Sequence, residues 1–296
     1  MTDPRMQQDR FPHFGGGRLM ATYRRLAGAS ARHWSIRHVP VCSSTEELLG
    51  AWLRDQPSLM GPRAVIATHQ RRGVGQWGRA WVSPPGGVWI SAALPWRSQG
   101  SGQAGLLGLA LALSVVHRLE QQGLSVQIKW PNDLFVNGRK LAGLLPGVVQ
   151  RGSQLRLLRI GLGLNVRNAV PGHAIALRRL EGQQAADPIR WTAEVLLAFD
   201  HCHDEGGDGA WCLDGVEARL WSDQLVHPQD GQIWRIAGLE RDGGLRLRQG
   251  SRTETWRRWP GVGVPSIGFL STAVLSVAGL VRADLDVGSS RGCAGF

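Results

Sequence analysis

Two turn dipeptides, Asn137-Gly138 and Arg151-Gly152, cut the run Val126–Val166 into short apolar pieces of strand length. Asn-Gly accepts positive φ at both central positions, so it reverses the chain tightly and makes its flanks antiparallel neighbours. Strands are expected at 126–129, 134–136, 140–150 and 155–166. The segment before them, 102–122, is rich in Leu and Ala nearly all round, a pattern that predicts a helix buried against the sheet. Trp34–Val41, Pro62–Thr68 and Val88–Pro95 read as further strands, with the Gly-punctuated 70–81 as the loop between the last two. Ser44-x-x-Glu47 is a capping box that opens a helix through about Arg54, and Pro188–His203 is another helix. Strands clustered between helices, with no regular βαβ alternation, give an α+β fold: a mixed β-sheet with helices on one face.

After Asp223 the pattern changes. Three short strands, 232–239, 244–249 and 253–259, are split by Asp242-Gly243-Gly244 and Gly250-Ser251, which predicts a small C-terminal β-barrel of SH3 size. The expected domains are thus an extension without order over 1–33, a main domain over 34–223, the small barrel over 224–260 and a weakly structured tail over 261–296. Residues 264–281 carry no charge, the minimum length for a membrane span, but Pro265, Gly268, Gly279 and four Ser or Thr favour a tail over an anchor. The N-terminal 33 residues hold no apolar run suited to a signal peptide, although they are Arg- and Ala-rich and acid-poor like a transit peptide. A true start at Met20 is an equal alternative.

A chain of 296 residues with 43% hydrophobic content is globular, which excludes a disordered or fibrous protein. Its net charge of +11 comes from dispersed Arg and favours acidic partners, nucleotides among them, without a block that would mark specific nucleic-acid binding. Four cysteines with no C-x-x-C pair exclude a disulfide scaffold and a zinc ribbon, and fit a reducing, cytoplasmic setting. His201-Cys202-His203-Asp204 with Cys212 imitates a metal cluster, but it closes a helix, where cap and core roles are expected.

Of 34 basic residues only two are lysines, Lys129 and Lys140, both within the stretch 128–147. Arg is a wide, always charged fork, whereas Lys is a compact point charge that reaches one crowded oxygen. A composition so shifted toward Arg is expected to keep Lys where a guanidinium cannot do the chemistry. The same stretch holds two of the four asparagines. Asn137 is explained by its turn; Asn132, in Trp130-Pro131-Asn132-Asp133, and Asn165, closing Gly161-Leu162-Gly163-Leu164-Asn165, are not. Upstream, 69–81 sets Arg71, Arg72 and Arg79 among Gly73, Gly75 and Gly78, so that backbone N–H groups can approach an anion, although the P-loop signature is missing. A Gly and Arg loop, point-charge lysines, the Asp133 carboxylate and a Gly-rich strand end are the parts needed to join an anionic acid to a nucleoside triphosphate. Two anions must there be held in line and neutralised. The residues read as those of an adenylating enzyme. The plainer readings are core aromatics for Trp81 and Trp130, a polar strand end for Gln70 and a turn former for Asp133.

Lys129-Trp130-Pro131-Asn132-Asp133, then Lys140-Leu141-Ala142-Gly143-Leu144-Leu145, then Gly161 to Asn165, closely resemble the biotin protein ligase family in its short form without an N-terminal DNA-binding domain. Ser43-Ser44-Thr45 and Gln70–Trp81 resemble its two earlier motifs in the same order, and the likeness runs from about Trp34 to Trp259. It implies the class II synthetase-like catalytic domain of biotin and lipoate ligases with a small terminal barrel. The implied reaction is biotin plus ATP giving biotinyl-5′-AMP and pyrophosphate, then transfer to one lysine of the biotin carboxyl carrier protein of acetyl-CoA carboxylase.

By this resemblance Lys140 bridges the biotin carboxylate and the α-phosphate. Lys129 and Asp133 serve the nucleotide, Asp133 also with Mg²⁺ and as base toward the acceptor amine. Ser44, Thr45 and Gln70 hold the fused ring, with Trp81 and Gly143 at the pocket wall. Arg71, Arg72, Gly73, Gly75, Arg79 and Asn132 take ATP or the adenylate, and Asn165 the adenine. A homodimer is compatible; no membrane and no specific nucleic acid is expected.

Departures from the resembled pattern are local. The family loop G-R-G-R-x-G-R-x-W has Val74 and Gln76 here in place of two arginines, with Arg71 and Arg72 expected to supply the charge from a shifted position. Ser43 and Glu46 replace the Asp and Asn that commonly flank the Ser-Thr pair. Competing readings are a lipoate or octanoate ligase of the same fold, and a biotin- and nucleotide-binding protein whose loop has decayed. A DNA-binding repressor would need a helix-turn-helix ahead of the first strand, where Gly15-Gly16-Gly17 interrupts a segment without a helical pair.

Overall fold

The computed structural model describes residues 16–99, 104–151, 154–180, 186–205 and 210–259. The elements begin with α1 (Gly16–Ala27), β1 (Ser35–Cys42), α2 (Thr45–Asp55), β2 (Arg63–Val74), β3 (Ala80–Ser83), β4 (Val88–Gln99) and α3 (Ala104–Glu120). Four strands follow, β5 (Gln127–Lys129), β6 (Asp133–Val136), β7 (Arg139–Arg151) and β8 (Gln154–Leu164). Then come α4 (Pro188–Glu205), the short α5 (Leu213–Glu217) and β9 (Gln224–Val226), β10 (Ile233–Leu239), β11 (Leu245–Gln249) and β12 (Arg252–Trp256).

One eight-stranded sheet has the order β1-β2-β4-β8-β7-β6-β5, with β3 folded back on β2. β1 and β2 are parallel, because α2 crosses between them, and the other named pairs are antiparallel. Asn137 and Gly138 take φ of 51° and 69°, as the turn chemistry requires. The sheet is therefore mixed and the fold α+β, as its pattern predicts.

Side chains alternate across the sheet. On one face Ala64, Ile66, Ile90, Ala92, Leu94, Leu158, Ile160 and Leu162 join the main core. Helix α3 is buried nearly all round because β7 lies on one side of it while α4 and α5 pack elsewhere on its surface. Helices are not confined to that face. Leu49 and Trp52 of α2 pack on Val65 and Ala93 of the opposite face, but α2 is short and covers only the β2 and β4 end. The same face of β7 and β8 is left open beside it.

Two other expectations change. Within the segment expected to be an extension, α1 is folded onto α4: Leu19 and Tyr23, one helical turn apart, are buried in the core. Tyr23 Oη donates to Asp200 Oδ2 at 2.6 Å and accepts from the Arg32 amide at 2.7 Å, while Trp34 Nε1 donates to Asp200 Oδ1 at 3.1 Å. The C-terminal strands also gain a fourth member, β9, and form an open sheet in the order β12-β11-β10-β9, with no pairing that closes a barrel among the described residues. This sheet is fastened to the main domain. Arg219 O and Trp221 N pair with the two backbone groups of Ile128, and Trp130 Nε1 donates to Gly243 O at 3.0 Å. Residues 1–15 and the 261–296 tail, with its alternative reading as an anchor, lie outside the described residues. Among the described helices none is long and apolar enough to cross a membrane.

Candidate active site

A cavity of about 440 Å³ stands over the uncovered face of β7 and β8. Its floor is glycine. Gly143 and Gly163 are cross-strand partners, and Gly161 lies two residues earlier on β8. The Trp81 indole rests on this floor: a Cβ on Gly163 would stand 2.4 Å from its Nε1, and one on Gly143 3.0 Å from its ring. Any larger residue would push Trp81 out. Trp81 Nε1 is itself buried without an acceptor.

One wall is a buried polar relay. Gln70 Oε1 accepts from the Thr45 amide at 2.8 Å and from Thr45 Oγ1 at 3.0 Å; Thr45 Oγ1 also bonds Ser91 Oγ at 2.8 Å, and Gln70 Nε2 donates to Ser83 Oγ at 2.8 Å. Each polar atom has a partner, so the wall keeps its shape at little desolvation cost. Ser44 is the α2 N-cap, accepting from the Glu46 amide at 3.2 Å rather than from Glu47.

The opposite end is cationic. β6–β7 register sets Asp133 against Gly143 and Lys140 against Phe135, with a bulge between that lets Lys140 lean back. Lys140 Nζ then reaches Asp133 Oδ2 at 2.7 Å and lies 4.9 Å from the centre of the Trp81 ring. Lys129 Nζ sits 5.4 Å from the Phe135 ring and 5.0 Å from the Trp221 ring. Burial pushes the Lys129 ammonium below the usual lysine range; Asp133 opposes that shift, and Lys140 and Arg79 add to it. This end is a place where an anion would be welcome.

Most of the residues singled out by sequence meet at this cavity: Ser44, Thr45, Gln70, Gly75, Arg79, Trp81, Lys129, Asn132, Asp133, Lys140 and Gly143 all line it. Asn132 does so while its side-chain amide donates to Leu144 O and its carbonyl accepts from Leu144 N at 2.9 Å, so it also braces the turn before β6.

Four are not in the wall. Arg71 and Arg72 are carried out to solvent where β2–β3 register shifts between Gln70 and Gly73, which leaves Val74 and Gln76 on the wall without the expected charge from upstream. Gly73 is packed behind it, with room for no Cβ: Trp81 O would be 2.4 Å away. Asn165 Oδ1 accepts from Asn168 Nδ2 at 2.9 Å, and its backbone bonds Leu141 and Leu177, so it fixes the chain leaving β8.

The sequence reading missed Ser91, Phe135, His173, Trp221 and Trp259, which also line the cavity. Glu46, noted there only as a departure, lines it as well. Adjacency to Ser44-Thr45 pointed to Glu46; nothing local points to Trp221 or Trp259, which arrive through the C-terminal segment.

Residues 39–165 match the biotin/lipoate A/B protein ligase family. This segment belongs to that family. The chain is 34% identical over 150 residues to the bifunctional ligase/repressor BirA of Escherichia coli, an overlap of 50% of this chain and 42% of that protein. It is 34% identical over 130 residues to the biotin–[acetyl-CoA-carboxylase] ligase of Paracoccus denitrificans, covering 42% of this chain and 52% of that one. The matched region thus spans about half the length of these curated relatives. In three dimensions the chain is similar to the biotin protein ligase from Aquifex aeolicus in complex with biotin and ATP, with TM-score 0.61 and 22% identity over 76% of this chain and 96% of that one. That likeness extends the family fold beyond residues 39–165.

Proposed function

We propose that this chain is an ATP-dependent ligase that activates biotin as biotinyl-5′-AMP and passes the biotinyl group to a lysine of a biotin carboxyl carrier protein, an acetyl-CoA carboxylase subunit. The observation that carries the reading is the convergence of Lys140, Lys129 and Arg79 at one end of a glycine-floored cavity whose other wall is the Thr45–Gln70–Ser91 relay. Relatives named as biotin ligases, and a neighbour solved with biotin and ATP, support the choice of substrates.

In the first step a biotin carboxylate oxygen bonds the α-phosphorus of ATP and the bond to the β-phosphate oxygen breaks, releasing pyrophosphate. Both reactants are anions, so the barrier falls when cations are already placed where charge builds. Lys140 is assigned the bridge between carboxylate and α-phosphate, with Asp133 holding its ammonium in place. Lys129 and Arg79 face the phosphates, and Phe135, Trp221 and Trp259 give the nucleotide base an aromatic wall. Thr45 and Gln70 shape the recess for the fused ring. In the second step the carrier amine attacks the biotinyl carbonyl and AMP leaves.

Asp133 suits Mg²⁺ that arrives with the triphosphate, since that ion takes one or two carboxylates and completes its shell with phosphate and water. Among the described residues no group of three or more His, Cys, Asp or Glu forms a ready cage. When bound, the ion would offset phosphate charge.

Biotin-dependent exchange of labelled pyrophosphate into ATP by the purified chain tests the first step. Exchange that requires biotin is expected. Exchange that proceeds equally with octanoate and not with biotin would replace the substrate with an acyl chain.

A further inference from the structure

The alternation of β8 puts Arg159 on the same face as Gly161 and Gly163, beneath α2. Arg159 Nη2 holds Glu46 Oε2 at 2.6 Å. The other carboxylate oxygen, Glu46 Oε1, is buried with no hydrogen-bond partner. It lies against the floor, 3.1 Å from where a Cβ on Gly161 would stand. Leaving a buried acceptor unused costs about 1 to 3 kcal/mol, more for a charged group, so the fold tolerates here what a bound donor would repair.

The position makes the donor specific. Gly161 is two residues from Gly163, so Glu46 sits about 7 Å along the strand from the Gly143–Gly163 pair that Asp133 and Trp81 border. A ligand whose carboxylate reaches Lys140 presents its far end to Glu46. A carboxylate cannot sit against Glu46 without like-charge repulsion, so the ligand's orientation is fixed from both ends. An N–H at the far end would meet the free oxygen, whereas a hydrocarbon end would leave it desolvated and unpaired.

We propose that Glu46 is a specificity-determining residue, with Arg159 as its positioning residue: Oε1 accepts an N–H from the ring of the bound acid and thereby selects a cyclic urea over a plain acyl chain. This rests on the biotin reading above and adds the group that enforces it.

Calorimetric titration of the full chain with biotin and, separately, with octanoic acid tests it, using Glu46→Gln, Glu46→Ala, Arg159→Met and Arg159→Lys beside wild type. Wild type is expected to prefer biotin. Glu46→Ala should bind biotin at least tenfold more weakly while octanoate affinity holds or rises, Glu46→Gln should lose less, and Arg159→Lys should recover part of what Arg159→Met loses. Biotin affinity within twofold of wild type in Glu46→Ala would overturn the assignment while leaving the ligase reading intact. Parallel loss of biotin and octanoate would also overturn it, since the pair would then only support the wall. Failure of the wild-type chain to bind biotin at all would sink both.

Discussion

Strand β8 serves two faces of one sheet with opposite demands. Leu158, Ile160, Leu162 and Leu164 point into the core under α3, while Arg159, Gly161 and Gly163 point to the cavity. Each fully buried Leu or Ile on the first face contributes about 1.5 to 3 kcal/mol. The glycines contribute none of that and each costs about 0.5 to 1 kcal/mol in backbone freedom. One face therefore carries the stability that lets the other leave volume for a ligand. The lesson is that the site is made as much by side chains withheld as by side chains supplied.

Variants on the two faces should separate activity from stability. The largest effect is expected from Lys140→Ala on the open face: pyrophosphate exchange should fall about 100- to 1,000-fold with the melting temperature nearly unchanged, and Lys140→Arg should not restore it, since a planar fork cannot replace a point charge at a crowded oxygen. Leu111→Ala, at the fully buried centre of α3, should do the reverse, costing about 2 to 5 kcal/mol in denaturant unfolding while the folded fraction keeps its turnover. A variant of either kind that damaged both properties would erase the division between faces.

Gly163→Ala sharpens the contrast on the open face. A methyl there collides with Trp81 Nε1, so biotin binding should weaken about tenfold or more while the opposite core is untouched. Equal affinity would mean that Trp81 is free to leave the floor.

On the packed face the buried polar cluster between α1 and α4 adds a pH term. Burial pushes the Asp200 carboxyl from 3.8 up to about 6, against the opposing donors Tyr23, Arg32 and Trp34. The folded state holds this proton more tightly than the unfolded chain. Its contribution is full below the unfolded value of 3.8 and is lost as pH rises through about 6. Asp200→Asn, which cannot ionise, should flatten that loss, a difference of at most about 3 kcal/mol between acid and neutral unfolding curves. Identical curves would refute it. The smallest effect is expected from Gln76→Arg, where restoring a cation to the β2–β3 turn should slow release of the adenylate several-fold in a single-turnover trap, with exchange little changed.

Much of this was legible in the chain. Turn chemistry at Asn137-Gly138, the all-round apolar pattern of α3 and the capping residue Ser44 are local features, and each gave its element within a few residues. Lys129, Lys140, Asp133, Thr45, Gln70 and Trp81 were singled out from composition and motif, and the structure brings them to one cavity. Helix α1 was missed because its burial depends on α4, far along the chain, and its Leu19–Tyr23 spacing alone is too short a stripe to read. Arg71 and Arg72 were misplaced because a bulge in β2, unmarked in the sequence, turns both toward solvent.

Sequence alone determined which elements form and which residue types are available for chemistry, since turns, caps and periodicity act through neighbours a few positions apart. Only the tertiary structure decided which side each strand residue faces. It also turned Asn165 away to brace a loop, brought Trp221 and Trp259 to the wall and left one oxygen of Glu46 unpartnered. The physical reason is register: a shift of one residue in a strand exchanges core for cavity along its whole length, and register is set by partners that lie far away in the chain.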